Sequence, residues 1–93
     1  MDEKLLSEIL TPKINRWKML NKVGMITEAR MEMVRYFSLY IDGPLEEVYK
    51  ELQRAKSNGA HISHTESLID QILLSKLRYE WGDEVYQMMK KCF

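Results

Sequence analysis

The apolar pattern between residues 25 and 41 constrains this chain more than any other feature. At about 100° per residue, one half of the helical wheel is apolar, and its members are Ile26, Ala29, Met33, Val34, Tyr36, Phe37, Tyr40 and Ile41. The opposite half contains the polar residues Glu28, Glu32, Arg35, Ser38 and Asp42. Because this apolar face is wider than a surface helix needs, the pattern predicts a helix that several others contact.

Three residues of this segment do not fit the division into two halves. Arg30 falls on the apolar side, whereas Met31 and Leu39 fall on the polar side. An unpaired charge is very costly inside a protein. A buried Arg30 would therefore need a partner, for which Asp70 is a candidate, or else its side chain reaches water. Met31 and Leu39 are expected to be exposed and to contact another protein.

Capping residues divide the first part of the chain into further helices. Residues 2–10 predict a first helix, and Thr11-Pro12 predicts an N-cap followed by the first position of a second. That second helix is expected to end near Gly24. Asp42-Gly43-Pro44 then separates the 25–41 helix from a fourth one.

The second half of the chain predicts two more helices after a stop at Asn58-Gly59. Ser63 and Glu66 have the spacing of a capping box for a fifth helix, which runs to about Trp81 before a short last one. This fifth helix is apolar around much of its circumference. The sequence therefore predicts one all-α domain over residues 1–93, a compact bundle of five or six short helices. Either its two broad apolar helices are both central, or a second copy covers part of one, most simply in a homodimer.

Composition excludes several classes of function. Fourteen basic and fourteen acidic residues cancel, which disfavours general nucleic-acid binding. The single cysteine, Cys92, rules out an internal disulfide and fits a reducing compartment. The start of the chain does not resemble a secretory signal, and no apolar run is long enough for a membrane span. A cytoplasmic protein is expected.

The loop at 57–66 is the clearest candidate for a ligand. It leads into a helix N-terminus, where free N–H groups and the helix dipole favour an anion. A small phosphorylated ligand or nucleotide would then be bound by Lys18, Lys22, Arg30, His61, Ser63, His64 and Thr65. The alternative is that these loop hydroxyls only cap the helix.

Other chemistry has weaker support. Two histidines and one nearby acid do not define a metal site, and no nucleophile comes with a recognisable catalytic partner. An enzyme or a cofactor is therefore not expected. The basic second helix followed by the 25–41 helix faintly resembles a helix-turn-helix, but Glu28 and Glu32 would repel DNA phosphates.

The main hypothesis is a small, non-catalytic regulator, adaptor or inhibitor that binds another protein, itself included. By analogy, short helical chains of this kind occur among accessory proteins of phages and mobile elements. Adaptable methionines and exposed apolar groups are typical of such surfaces. The expected contact residues are Met31, Leu39, Met88, Met89 and Phe93.

Overall fold

The computed structural model describes residues 3–39 and 45–93, and side chains from Leu5 onward. Within these ranges the chain forms helices without a strand, so the predicted all-α bundle is confirmed. The elements are α1 (Glu3–Lys22), α2 (Ile26–Phe37), α3 (Leu45–Ser57), α4 (Ser63–Trp81), α5 (Asp83–Met89) and a terminal 3₁₀ turn (Lys90–Cys92). None of the described helices is both long and apolar enough to cross a bilayer.

The break predicted at Thr11-Pro12 is wrong, because α1 continues through it. The Thr11 hydroxyl does not cap a new helix but donates to the Ser7 carbonyl at 2.6 Å, within the same helix. Proline inside a helix costs about 3 kcal/mol. Burial on both sides of Pro12 offsets that cost, because one continuous stripe packs into the core through Leu6, Leu10, Ile14, Trp17 and Leu20.

The helix that dominated the sequence pattern is shorter than predicted, ending at Phe37. Ser38 adopts a left-handed conformation with φ 52°, and the Leu39 N–H donates to the Val34 carbonyl at 3.1 Å. This turn ends α2 and directs Leu39 into the core, where it is fully buried. Thr27, the second residue of α2, is buried. The predicted positions Tyr40, Ile41 and the Asp42-Gly43-Pro44 break lie outside the described residues.

The predicted start of α4 is nearly right, but the predicted capping box is wrong. Ser63 is the first helical residue, and no side chain caps this end. The N–H of Glu66 donates instead to the Ile62 carbonyl at 2.7 Å. At the other end, Gly82 has φ 94° and ψ 170°, a conformation that favours glycine. It separates α4 from α5, as predicted.

Helix α4 has apolar side chains on two opposite sides, and the fold buries only one of them. Leu73 and Leu77 are fully buried against the other helices. Leu68 and Ile72, which lie across the helix from them at about 100° per residue, are 47% and 40% exposed. Of the two alternatives left open for the broad apolar helices, complete enclosure of α4 within one copy is therefore not observed.

Candidate functional site

A buried ion pair lies at the centre of the bundle. The Arg30 side chain on α2 is 4% exposed, and its Nε donates to Asp70 Oδ1 on α4 at 3.0 Å. Of the two alternatives that the sequence left for Arg30, the structure shows the ion pair with Asp70. Arg30 Nη1 also donates to Asn21 Oδ1 at 3.1 Å and to the Cys92 carbonyl at 3.2 Å. The guanidinium lies 4.0 Å from the centre of the Phe93 ring.

Helix α3 contributes a further donor to this pair. The Tyr49 side chain is fully buried, and its hydroxyl donates to Asp70 Oδ1 at 2.7 Å. Burial, with the Asp70 charge beside it, raises the pKa of Tyr49 and keeps the phenol protonated as a donor. The Asn21 amide also donates to the Cys92 carbonyl. The network therefore joins α1, α2, α3, α4 and the C-terminal turn.

Protein partners satisfy most of the polar atoms of this network. Among the described residues no buried side-chain nitrogen or oxygen lacks a hydrogen-bond partner. Two donor atoms of Arg30 are occupied by protein acceptors, and an aromatic ring covers its plane. Protein groups thus engage Arg30 Nε and Nη1, and the inclusion of Arg30 among the phosphate-binding cations stays a prediction. Cys92 is equally enclosed, and burial raises the pKa of its thiol, which keeps it protonated.

The residues expected to contact a partner do not form one surface. Met31 is 7% exposed and Leu39 and Met89 are fully buried, so the exposure predicted for Met31 and Leu39 is wrong. Met31 is buried because the buried positions of α2 extend beyond its apolar half, and Leu39 is buried because the turn at Ser38 directs it into the core. Met88 is half-buried, and Phe93, 39% exposed, lies against Arg30.

The remaining residues of the phosphate hypothesis all lie on the surface. Lys18 and Lys22 are exposed on α1, and His61, Ser63, His64 and Thr65 are exposed before and within the first turn of α4. A cavity of about 360 Å³ lies between the turn after α1 and the end of α3. It includes Glu28, Lys56 and Ser57 but none of the residues proposed to bind the phosphate. In the part of the chain that the structure describes, no three His, Cys, Asp or Glu side chains are grouped for a metal ion.

The helix that DNA recognition would require, α2, is largely covered by its neighbours. Seven residues of α2 are buried. Its acid Glu32 accepts bonds from Arg16 Nε and Nη2 at 2.8 and 2.7 Å, and from Trp17 Nε1 at 3.2 Å. These bonds, above all those from Arg16, lower the pKa of Glu32. The pairing also takes one cation from the basic part of α1.

An apolar groove, here called the α1–α5 groove, is the largest feature that sequence reasoning missed. A cavity of about 210 Å³ is lined by Leu6, Ile9, Leu10, Tyr36, Phe37, Trp81 and Val85. A second cavity of about 450 Å³ shares Leu6, Trp81 and Val85 with it and extends along the start of α5. Two of these side chains are large and half exposed, Trp81 at 48% and Ile9 at 45%.

Aromatic packing makes one wall of this groove rigid. The Trp81 and Phe37 rings meet edge to face with centroids 5.3 Å apart. Tyr36 packs edge to face on Phe37 at 5.0 Å and on Trp17 at 5.9 Å. Such aromatic pairs hold each other in defined orientations. Lys13 Nζ lies 5.4 Å from the centre of the Tyr36 ring, and the acids Asp83 and Glu84 line the second cavity.

A second surface lies on the outer side of α4. Thr65, Leu68, Ile72, Ser75 and Tyr79, here called the neutral α4 stripe, are all exposed and follow one another at alternating spacings of three and four. More generally, every exposed residue from 57 to 75 is something other than Asp, Glu, Lys or Arg. Charged residues make up 30% of the chain, so this stretch is depleted of charge, as the cores of protein interfaces are.

Comparison with known protein families, characterised proteins and solved structures finds no match to this chain.

Proposed function

We propose that this protein is a small, non-catalytic interaction protein of the cytosol, a regulator, adaptor or inhibitor that binds a partner protein through the α1–α5 groove. The observation that carries the proposal is that Trp81 lines an apolar groove and remains half exposed. Tryptophan and tyrosine in such positions contribute much of the binding energy at protein interfaces. The groove is preformed, since packed rings define its wall.

The charges beside the groove indicate the chemistry of the partner. Lys13 lies beside Tyr36, and the exposed carboxylate of Glu84 lies at the start of α5. The partner segment that fits is amphipathic, with a large apolar side chain for the groove. It would have a basic residue toward Glu84 and an acidic one toward Lys13. Complementary charges of this kind set orientation more than affinity.

A peptide-display selection against the immobilised full-length chain tests this proposal. We expect the selected peptides to share a large apolar residue, with a basic residue on one side of it. Their affinity, measured by fluorescence anisotropy, should fall about tenfold or more for Ile9→Glu, which places a charge in the groove. Leu68→Glu is the matched control, because Leu68 has nearly the same exposure but lies on the outer side of α4.

Two outcomes would overturn the proposal. One is a selection that yields no peptide with an apolar anchor. The other is a set of peptides that bind wild type and Ile9→Glu equally well. A set of peptides that loses affinity for Leu68→Glu instead would move the partner site to α4.

A further inference from the structure

We infer that the neutral α4 stripe packs against the same stripe of a second copy of this chain, with the two α4 helices antiparallel. The inference is independent of the α1–α5 groove. It begins from Leu68 and Ile72, two large aliphatic side chains that the fold leaves 47% and 40% exposed on one side of α4. Alternating spacings of three and four along this side are those of helices that pack at a small crossing angle.

The absence of charge favours a second copy as the occupant. A two-fold interface places a surface patch against itself, so a patch with a net charge repels its own copy. The exposed residues of α4 up to Ser75 are uncharged. Beyond them, Lys76 pairs with Glu80 at 3.1 Å and Arg78 with Asp83 at 3.3 Å. Two such faces can therefore approach without an unpaired like charge.

The order of residue types along the stripe is symmetrical about a point between Leu68 and Ile72. In an antiparallel pair, each Leu68 lies opposite the Ile72 of the other copy, and each Thr65 lies opposite a Ser75. The two aliphatic layers occupy the centre, and small hydroxyl residues on either side allow close approach. The same arrangement sets the two helix dipoles in opposite directions, which is the favourable orientation.

The size of this contact sets the strength to expect. Thr65 to Tyr79 spans about 21 Å of helix, so the interface is at the small end of specific protein interfaces. We expect a dissociation constant on the order of 10 μM or weaker. Light scattering after size-exclusion chromatography, over loading concentrations from about 1 μM to about 1 mM, should show the mass rise from 11.1 kDa toward twice that value.

Leu68→Glu should stay at the mass of one chain over the whole range, because it buries a carboxylate opposite Ile72. Ile9→Glu is the matched control and should associate like wild type. Circular dichroism checks that both variants are folded. We expect them to be, because both substituted side chains are exposed. A wild-type mass that stays at one chain, or association that Leu68→Glu leaves unchanged, would overturn the inference.

Cysteine cross-linking tests the antiparallel register directly. Chains with Thr65→Cys and chains with Ser75→Cys are mixed in equal amounts and oxidised, and the native Cys92 is buried and does not compete. Mass spectrometry should show mixed disulfides well above the half that random pairing produces. A predominance of disulfides between identical chains would indicate parallel helices and refute the register.

Discussion

The two sides of α4 differ from the usual pattern, in which charged residues face solvent and aliphatic residues face the core. The inner side contributes Asp70 to a buried network, whereas the outer side presents Leu68 and Ile72 to solvent. Polarity alone therefore did not decide which side faces the core. Asp70 is tolerated inside because Arg30 and Tyr49 both donate to it. The exposed aliphatic residues have no such explanation within one chain, which is why we assign them to an interface.

The two sides should also respond differently to substitution. Removing one partner of a buried ion pair leaves a charge without compensation, and that is strongly destabilising. Replacing an exposed side chain usually changes stability little. The inner side of α4 should therefore control folding, and the outer side should control association.

The largest effect is expected for Arg30→Met, which leaves the Asp70 carboxylate buried beside only Tyr49. The free energy of unfolding, measured by urea denaturation, should fall by about 3–5 kcal/mol. The double variant Arg30→Met/Asp70→Leu should recover part of this loss, because no charge then remains inside. A single variant as stable as wild type would mean that the pair is not enclosed.

A smaller loss is expected for Tyr49→Phe, which removes one donor to Asp70 but keeps the ring in the core. The free energy of unfolding should fall by about 1–3 kcal/mol. Tyr79→Phe makes the same chemical change at a side chain that is 87% exposed. Equal losses for the two variants would contradict the role of the Tyr49 hydroxyl in the network.

Glu66→Gln should stabilise the protein near neutral pH. Burial is the main cause that raises the pKa of Glu66 in the folded chain, and the negative charge of Asp70 raises it further. Because its pKa is higher in the folded chain, ionisation of Glu66 lowers the stability of the protein. This loss of stability is absent below about pH 4.3, the pKa of a glutamate in the unfolded chain. It grows as the pH rises to the folded pKa and is constant above it.

Urea denaturation at about pH 4 and about pH 7 checks this expectation. The advantage of Glu66→Gln over wild type should be present at the higher pH and shrink at the lower one. The same substitution at the exposed Glu8 is the control and should leave stability nearly unchanged. If Glu66→Gln stabilised the protein more at the lower pH than at the higher one, the raised pKa of Glu66 would be contradicted.

The smallest effect on folding is expected for Leu68→Glu on the outer side. At a protein concentration low enough to keep single chains, its free energy of unfolding should stay within about 0.5 kcal/mol of wild type. A loss comparable to that of Tyr49→Phe would show that Leu68 packs within its own chain, and the contrast between the two sides of α4 would then fail.

Local patterns predicted the all-α fold and offered the Arg30–Asp70 ion pair as one of two alternatives, but they placed a false helix break at Thr11-Pro12. Arg30 lies on the apolar side of its helix, so a buried Arg30 needs a carboxylate partner. Asp70 was a candidate because its neighbours on its own helix are apolar. The same reasoning misplaced Met31 and Leu39, which are buried. A helical wheel describes one helix alone and does not show how many neighbours surround it. The α1–α5 groove was missed for the same reason, since its residues come from four helices.

The sequence by itself determined that the chain is helical and that Gly82 separates α4 from α5, because periodicity and glycine conformation act over a few residues. Only the tertiary structure decided that α1 continues through Pro12 and that one apolar side of α4 is covered while the other is left exposed. Burial depends on segments distant in sequence, and their combined packing outweighs a local preference of a few kcal/mol.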